Sequence, residues 1–354
     1  MINFGLFLLT IAVGVLGAFF ARKAKIPAGG MVGAMVLVMA FNLLTQKGFF
    51  YDGLRTVVQI GSGAMIGSSM KREHIKALKS LILPMIILWV FMLIMNLTAG
   101  GLIIALTDMD PATAFFASSP GGMADMALIA SEMGANPAYV AVLHLIRILT
   151  IIIFMPPIYK KIGAKAPETR TETAVGETAA ASGGNGRIKQ AIQLLTTVAI
   201  GTVGGLLFAW LGVPAGAMIG SMLFVAAFSA LADKAYYPSP LRNYTQIAAG
   251  IYVGMRMDRA SFMTLPDLIL PALILIISVF IFAFLTGYVM HKATKVPLCT
   301  ALMASTPGGL QEMSILADDL GMDAPTIALF HTSRMMFVIA IFPTMLKLIV
   351  TYLL

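Results

Sequence analysis

The chain has 354 residues, 59% of them hydrophobic and 11% charged, with a formal net charge of +8 and a mean hydropathy of +0.91. A soluble domain carries roughly 25% charged residues, so this composition excludes a soluble globular chain and indicates a helical membrane protein in a lipid bilayer. The single Cys299 excludes an intrachain disulfide framework, and the positive-inside rule accounts for the basic balance without a nucleic-acid partner.

In chain order, apolar runs lie near 2–21, 28–45, 54–70, 80–106 and 138–158. A span needs about 20 apolar residues, which makes 54–70 the weakest of these. The first run lacks a basic leading segment and is followed by Arg22-Lys23-Ala24-Lys25, so it reads as a retained span rather than a signal peptide. Near 111–131 stands Ser118-Ser119-Pro120-Gly121-Gly122-Met123-Ala124-Asp125. From Gly163 to Arg187 the chain is rich in Ala, Gly, Thr and Glu without apolar periodicity, as a flexible linker is. Runs then recur near 190–210, 215–232, 243–257 (weak again), 267–290 and 325–346. Near 298–318 comes Ser305-Thr306-Pro307-Gly308-Gly309-Leu310-Gln311-Glu312. The expected division is a first membrane repeat at 1–161, a linker at 162–187 and a second repeat at 188–354.

The second half repeats the first at an offset of 187 without a gap. That offset pairs Pro27-Ala28-Gly29 with Pro214-Ala215-Gly216, Gln59 with Gln246, and Pro84 with Pro271. It also pairs Pro120 with Pro307, His144 with His331, Arg147 with Arg334, and Pro156 with Pro343. Repetition on this scale governs the fold. Corresponding loops differ in charge: Arg22-Lys23-Ala24-Lys25 faces uncharged Ala209 to Gly212, and Asp108 with Asp110 face Lys292 and Lys295. The halves are therefore expected to be inverted, which requires an odd number of crossings in each. Five spans plus one re-entrant hairpin per half satisfies that. With both termini outside and the linker in the cytoplasm, 17 Lys and Arg fall in inside loops against 5 outside, so this orientation is preferred.

Each Pro-Gly-Gly breaks a helix in apolar surroundings. Proline removes a donor and paired glycines permit positive φ. Broken backbone at membrane depth is tolerated only inside protein or beside a wet cavity, and two matched breaks point to a transporter's binding site. The duplicated Pro-Gly-Gly segments, each followed by His-x-x-Arg, resemble the bacterial membrane AbrB family over nearly the whole chain. That family also bears the labels ammonia monooxygenase and regulator of aidB expression, and it shares only a name with the small DNA-binding transition-state regulator. Its pattern is similar to the sodium–citrate and glutamate symporters of the cation-antiporter/anion-transporter superfamily. The resemblance implies an inner-membrane, multi-pass carrier working as symporter or antiporter.

The expected substrate-binding residues are Ser118, Ser119, Gly121, Gly122, Asp125 and Arg147 in the first half. In the second they are Ser305, Thr306, Gly308, Gly309, Gln311, Glu312 and Arg334. A helix starting after each break would aim free N–H groups and its positive dipole end at an anion, and the hydroxyls would replace water. Asp125 and Glu312 could instead only stabilise helix starts. His144 and His331 lie three residues before Arg147 and Arg334, on one helical face. An arginine in a span needs a partner, with Asp125, Glu132, Glu312 and Asp318 available. A carboxylate clamp and direct anion contact both remain open. His144, His331, Gln59 and Gln246 are candidates for coupling to H⁺ or Na⁺. Two GxxxG spacings, Gly63 to Gly67 and Gly250 to Gly254, indicate close helix approach.

Clustered His or Cys ligands, HExxH, CxxC and Walker-type loops are all missing from the sequence. No enzyme activity, metal or cofactor is expected beyond a coupling ion. The reading is a secondary transporter of a small anionic or polar solute; a ligand sensor regulating gene expression is the alternative. A homodimer is compatible with either.

Overall fold

The computed structural model describes residues 2–24, 26, 29–51, 53–70, 72–163, 184–256, 263, 265–294, 296–308, 313, 317 and 322–352. Most of the expected linker, together with Gly309, Gln311, Glu312 and Asp318, lies outside the described residues. Those described are helical or connecting, without strand.

Helices form over every apolar run. In the first half they are α1 (Ile2–Lys23), α2 (Gly29–Thr45), α3 (Gly53–Gly67), α4 (Arg72–Leu106) and α7 (Pro137–Gly163). The short α5 (Pro111–Ser118) and α6 (Met123–Glu132) flank the first break. The second half has α8 (Gly184–Trp210), α9 (Gly216–Ala232) and α10 (Ser239–Arg256), then α11 (Ile269–Ala293), α12 (Leu298–Ser305) and α13 (Ala324–Tyr352). Both ends of α2 and α9 differ by 187, as do both ends of α5 and α12. The repetition in sequence is thus a repetition of elements.

Among the described residues, six helices are long and apolar enough to cross a membrane by length and composition, and α2 and α9 are apolar but shorter. At about 1.5 Å per residue, 17 residues reach roughly 26 Å, a little under the hydrocarbon thickness. The more polar α3 and α10 fall outside this set, and they are the two runs whose sequence was weakest as spans. Exposed apolar side chains run along α4 at Ile82, Ile86, Val90, Ile94 and Leu97, and along α11 at Leu273, Ile277, Ile281 and Leu285. These helical stripes face outward, as lipid-facing surfaces do.

The helices sort into two bundles, each mixing both halves. One contains α1, α2, α3, α8, α9 and α10; the other contains α4 to α7 with α11, α12 and α13. The GxxxG glycines hold the first bundle together across the repeat. A Cβ at Gly63 would stand 2.4 Å from the Met218 carbonyl oxygen, and one at Gly67 2.5 Å from that of Met222, both on α9. In the mirrored contact, Gly250 and Gly254 of α10 meet the Met31 and Met35 carbonyls of α2 at 2.3 and 2.4 Å. Only glycine permits so close an approach of helix backbones. The second bundle holds both breaks, and α3 and α10 border it through α6, α7 and α13.

Candidate functional site

The first break is built as its sequence dictates. Asp110 caps α5 by accepting from the Thr113 N–H at 2.8 Å, with Pro111 at the first helical position. The helix ends at Ser118, because Pro120 has no N–H to continue it. Ser119 and Gly122 are extended, and α6 begins at Met123 with Asp125 in its first turn. The glycines are not there for positive φ: Gly122 has φ −73°, and neither it nor Gly121 is among the left-handed residues. Space is the reason. A Cβ on Gly121 would lie 2.6 Å from Cγ of Met126, and one on Gly122 2.6 Å from Oδ2 of Asp125. In the second half Gly308 meets Cγ of Met313 at 2.8 Å, Met313 being the repeat mate of Met126.

Chain breaks orphan carbonyls, and in both halves an arginine takes them. Arg147 donates from Nη1 to the Ser119 carbonyl at 2.6 Å and from Nη2 to that of Gly121 at 2.8 Å. Arg334 donates to the carbonyls of Thr306 at 2.9 Å and Gly308 at 2.7 Å. Both side chains are 2% exposed. The expected carboxylate clamp is absent among the described residues. Among the described residues each arginine is held by two uncharged acceptors with no carboxylate beside them, and its Nε–H has no partner. Glu132 is engaged elsewhere: its carboxylate accepts from Gln59 Nε2 at 2.9 Å and from the Ala215 N–H at 3.0 Å, tying α6 to the first bundle.

The two guanidinium groups line one cavity of about 150 Å³ between the bundles. Gly121, Gly122, Asp125 and Gly308 border it from the second bundle, and Ser62, Arg242 and Gln246 from the first. The Ser62 hydroxyl donates to the Asp125 carboxylate, whose Oδ1 is buried without a partner. Among the described residues, two buried arginines and one carboxylate border this pocket, an excess of positive charge with unused donors that suits a small anion.

Other expected residues stand apart from this cavity. The Ser118 hydroxyl lies between the Asn96 and Phe115 carbonyls and accepts from Asn96 Nδ2, while that of Ser119 donates to the Phe116 carbonyl. Ser305 donates to the Ala283 carbonyl at 2.7 Å, and Thr306 bonds to the Leu302 carbonyl and the Tyr159 hydroxyl. These four hydroxyls fix the breaks rather than line the pocket. His144 bonds the Val140 carbonyl and His331 that of Met303, each leaving one buried ring nitrogen without a partner. Gln59 borders a different, larger cavity. Ser62, Arg242 and Thr332 belong to the smaller one; Thr332 stands inside His-x-x-Arg and Ser62 just before the first GxxxG, and neither motif marks them as cavity residues.

Described residues that are helical throughout, six apolar helices of membrane length and a duplicated break are the features of a membrane protein with several spans. The chain belongs to the AbrB family: the family model described as "Transition state regulatory protein AbrB" matches residues 1–163 and again 164–350. It is 24% identical over 357 residues to "Uncharacterized protein YhjN" of Bacillus subtilis (strain 168), covering 96% of this chain and 92% of that protein. It is 25% identical over 274 residues to "Putative regulator AbrB" of Escherichia coli (strain K12), covering 73% of this chain and 72% of that protein.

Proposed function

We propose that the protein is a secondary transporter of a small anionic or polar solute, coupled to H⁺ or Na⁺ and resident in the bacterial cytoplasmic membrane. The observation that carries this reading is the pair of buried guanidinium groups, one per half, that share a cavity between two bundles and have no carboxylate partner among the described residues. Such charge is costly in a membrane interior unless a ligand or lining dipoles use it. In this reading the two halves are inverted, each with five spans and a re-entrant hairpin, and the solute sits where the hairpin tips meet. Both termini are outside and the linker is cytoplasmic. Motion of one bundle against the other opens the site to each side in turn. His144 and His331, next to the arginines and each with a free ring nitrogen, are the groups best placed to exchange a proton. No enzymatic step, metal or cofactor enters.

A second reading, a membrane-embedded sensor that regulates gene expression, is favoured by the name of the Escherichia coli relative. Reconstitution separates the two. Purified protein in liposomes is expected to move at least one anion from a carboxylate, amino-acid and inorganic panel under an imposed proton or sodium gradient. Gly122→Leu, which fills the tip, is expected to stop that movement. A panel anion that raises the melting temperature but is never moved supports the sensor; neither binding nor movement overturns both.

A further inference from the structure

The larger cavity is separate from the one the two buried arginines share. It encloses about 490 Å³ between the same two bundles, a volume suited to a small organic ligand. Arg55 and Gln59 border it from α3, Glu132 from α6 and Lys347 from α13. It lies at the opposite end of α3 from the smaller cavity. Arg55 opens into one and Ile66 into the other, about 16 Å apart at about 1.5 Å per residue. The Gln59–Glu132 hydrogen bond stands in its wall, on the side toward Ser62 and Asp125.

Among the described lining residues its cations outnumber its acids, Arg55 and Lys347 against Glu132. Glu132 is the one acid among the described lining residues, and its two oxygens already accept from Gln59 and the Ala215 N–H. Neither Arg55 nor Lys347 forms an ion pair with it. The Arg55 Nε–H is buried from water and has no partner among the described residues. Lys347 faces this space from the other bundle and is exposed. The repeat adds an independent sign. Arg55 and Arg242 differ by 187, and each precedes its glutamine, Gln59 or Gln246, by one helical turn. The second-half pair borders the smaller cavity. There Arg242 gives its Nε–H to the Tyr237 carbonyl at 3.2 Å, while the equivalent donor of Arg55 is unused.

We infer that the larger cavity is a second anion site, at which Arg55 takes one carboxylate of a small dicarboxylate and Lys347 the other. The inference extends the transport reading, since the two sites then lie in sequence on one route, with the Gln59–Glu132 bond between them. Fork-like recognition by guanidinium favours carboxylate, and two cations on facing bundles favour a dianion over a monoanion.

Equilibrium dialysis of radiolabelled succinate against the full-length chain, purified in lipid-free detergent, tests the assignment. Wild type is expected to bind two succinates per chain. The double variant Arg55→Gln, Lys347→Gln is expected to bind one, with the remaining affinity unchanged. Lys347 is exposed, so Lys347→Gln alone preserves the fold and is expected to weaken one of the two sites tenfold or more. Arg55→Lys, which keeps the charge, is expected to recover part of the binding lost in Arg55→Gln. Gly122→Leu is expected to remove the other site and leave this one. Two succinates on the double variant, a single succinate insensitive to Arg55→Gln, or none on wild type overturns the inference. Binding lost in Gly122→Leu but kept in the double variant overturns this site while sparing the central one. The reverse pattern spares this site and counts against the central one.

Discussion

Replacing Arg334 by lysine separates the two tasks the structure gives that side chain. The guanidinium reaches two carbonyls at once, Thr306 at 2.9 Å and Gly308 at 2.7 Å, through two nitrogens held in one plane. A lysine ammonium keeps the charge but is a point donor, and it satisfies one of the two. A hydrogen bond to a charged group contributes about 1.5–3 kcal/mol, and a buried carbonyl left bare costs about 1–3 kcal/mol. Arg334→Lys should therefore destabilise the fold by about 2–3 kcal/mol, and Arg334→Ala by about twice that. Thermal unfolding of the purified protein in one detergent measures both, and at roughly 2–4 °C per kcal/mol for a large chain the lysine variant should melt about 4–12 °C lower. Arg147 holds Ser119 and Gly121 in the same geometry, so Arg147→Lys should cost a similar amount. A lysine variant that melts with wild type in either half refutes the view that these arginines bind the broken backbone.

Glycine positions should rank by what they face. Gly250→Ala drives a methyl toward the Met31 carbonyl oxygen at 2.3 Å and should cost more than Gly121→Ala, whose obstacle is the flexible Met126 side chain; overpacking costs about 1–3 kcal/mol. Chemical denaturation should find that Gly121→Ala costs little further stability in a Met126→Ala background, whereas Gly250→Ala costs the same in either background. Glu132→Ala strips partners from Gln59 and the Ala215 N–H, so hydrogen exchange at Ala215 should accelerate at least tenfold; unchanged protection contradicts the role assigned to Glu132. For topology, single cysteines at 76, 175 and 234 should resist an impermeant reagent in sealed cells while one at 47 reacts; the opposite pattern reverses the orientation.

What the sequence made legible follows from how local each signal is. The breaks were readable because Pro120 and Pro307 remove donors wherever they stand, and the close approaches because Gly63, Gly67, Gly250 and Gly254 carry helical spacing. The need of Arg147 and Arg334 for partners was also readable. Their partners were not: a sequence displays carboxylates, whereas the acceptors here are carbonyls of Ser119, Gly121, Thr306 and Gly308, exposed only because the chain is broken. The glycines at the tips were expected to serve φ and instead make room for Met126, Asp125 and Met313. Ser118, Ser119, Ser305 and Thr306 neighbour the tips in sequence, yet their hydroxyls turn toward backbone carbonyls. Ser62 and Arg242 reach the cavity only through the pairing of two bundles, a long-range arrangement that no local pattern encodes.

The central claim is that an anion held by Arg147 and Arg334 at the bundle interface is carried across the membrane. Solid-supported membrane recordings on proteoliposomes test it most directly, using a panel of small carboxylates and inorganic anions with and without a proton or sodium gradient. A saturable current for at least one anion, abolished in Gly122→Leu protein that still folds, is the result predicted. An anion that stabilises the wild-type protein against heat but yields neither current nor tracer flux under any gradient contradicts it.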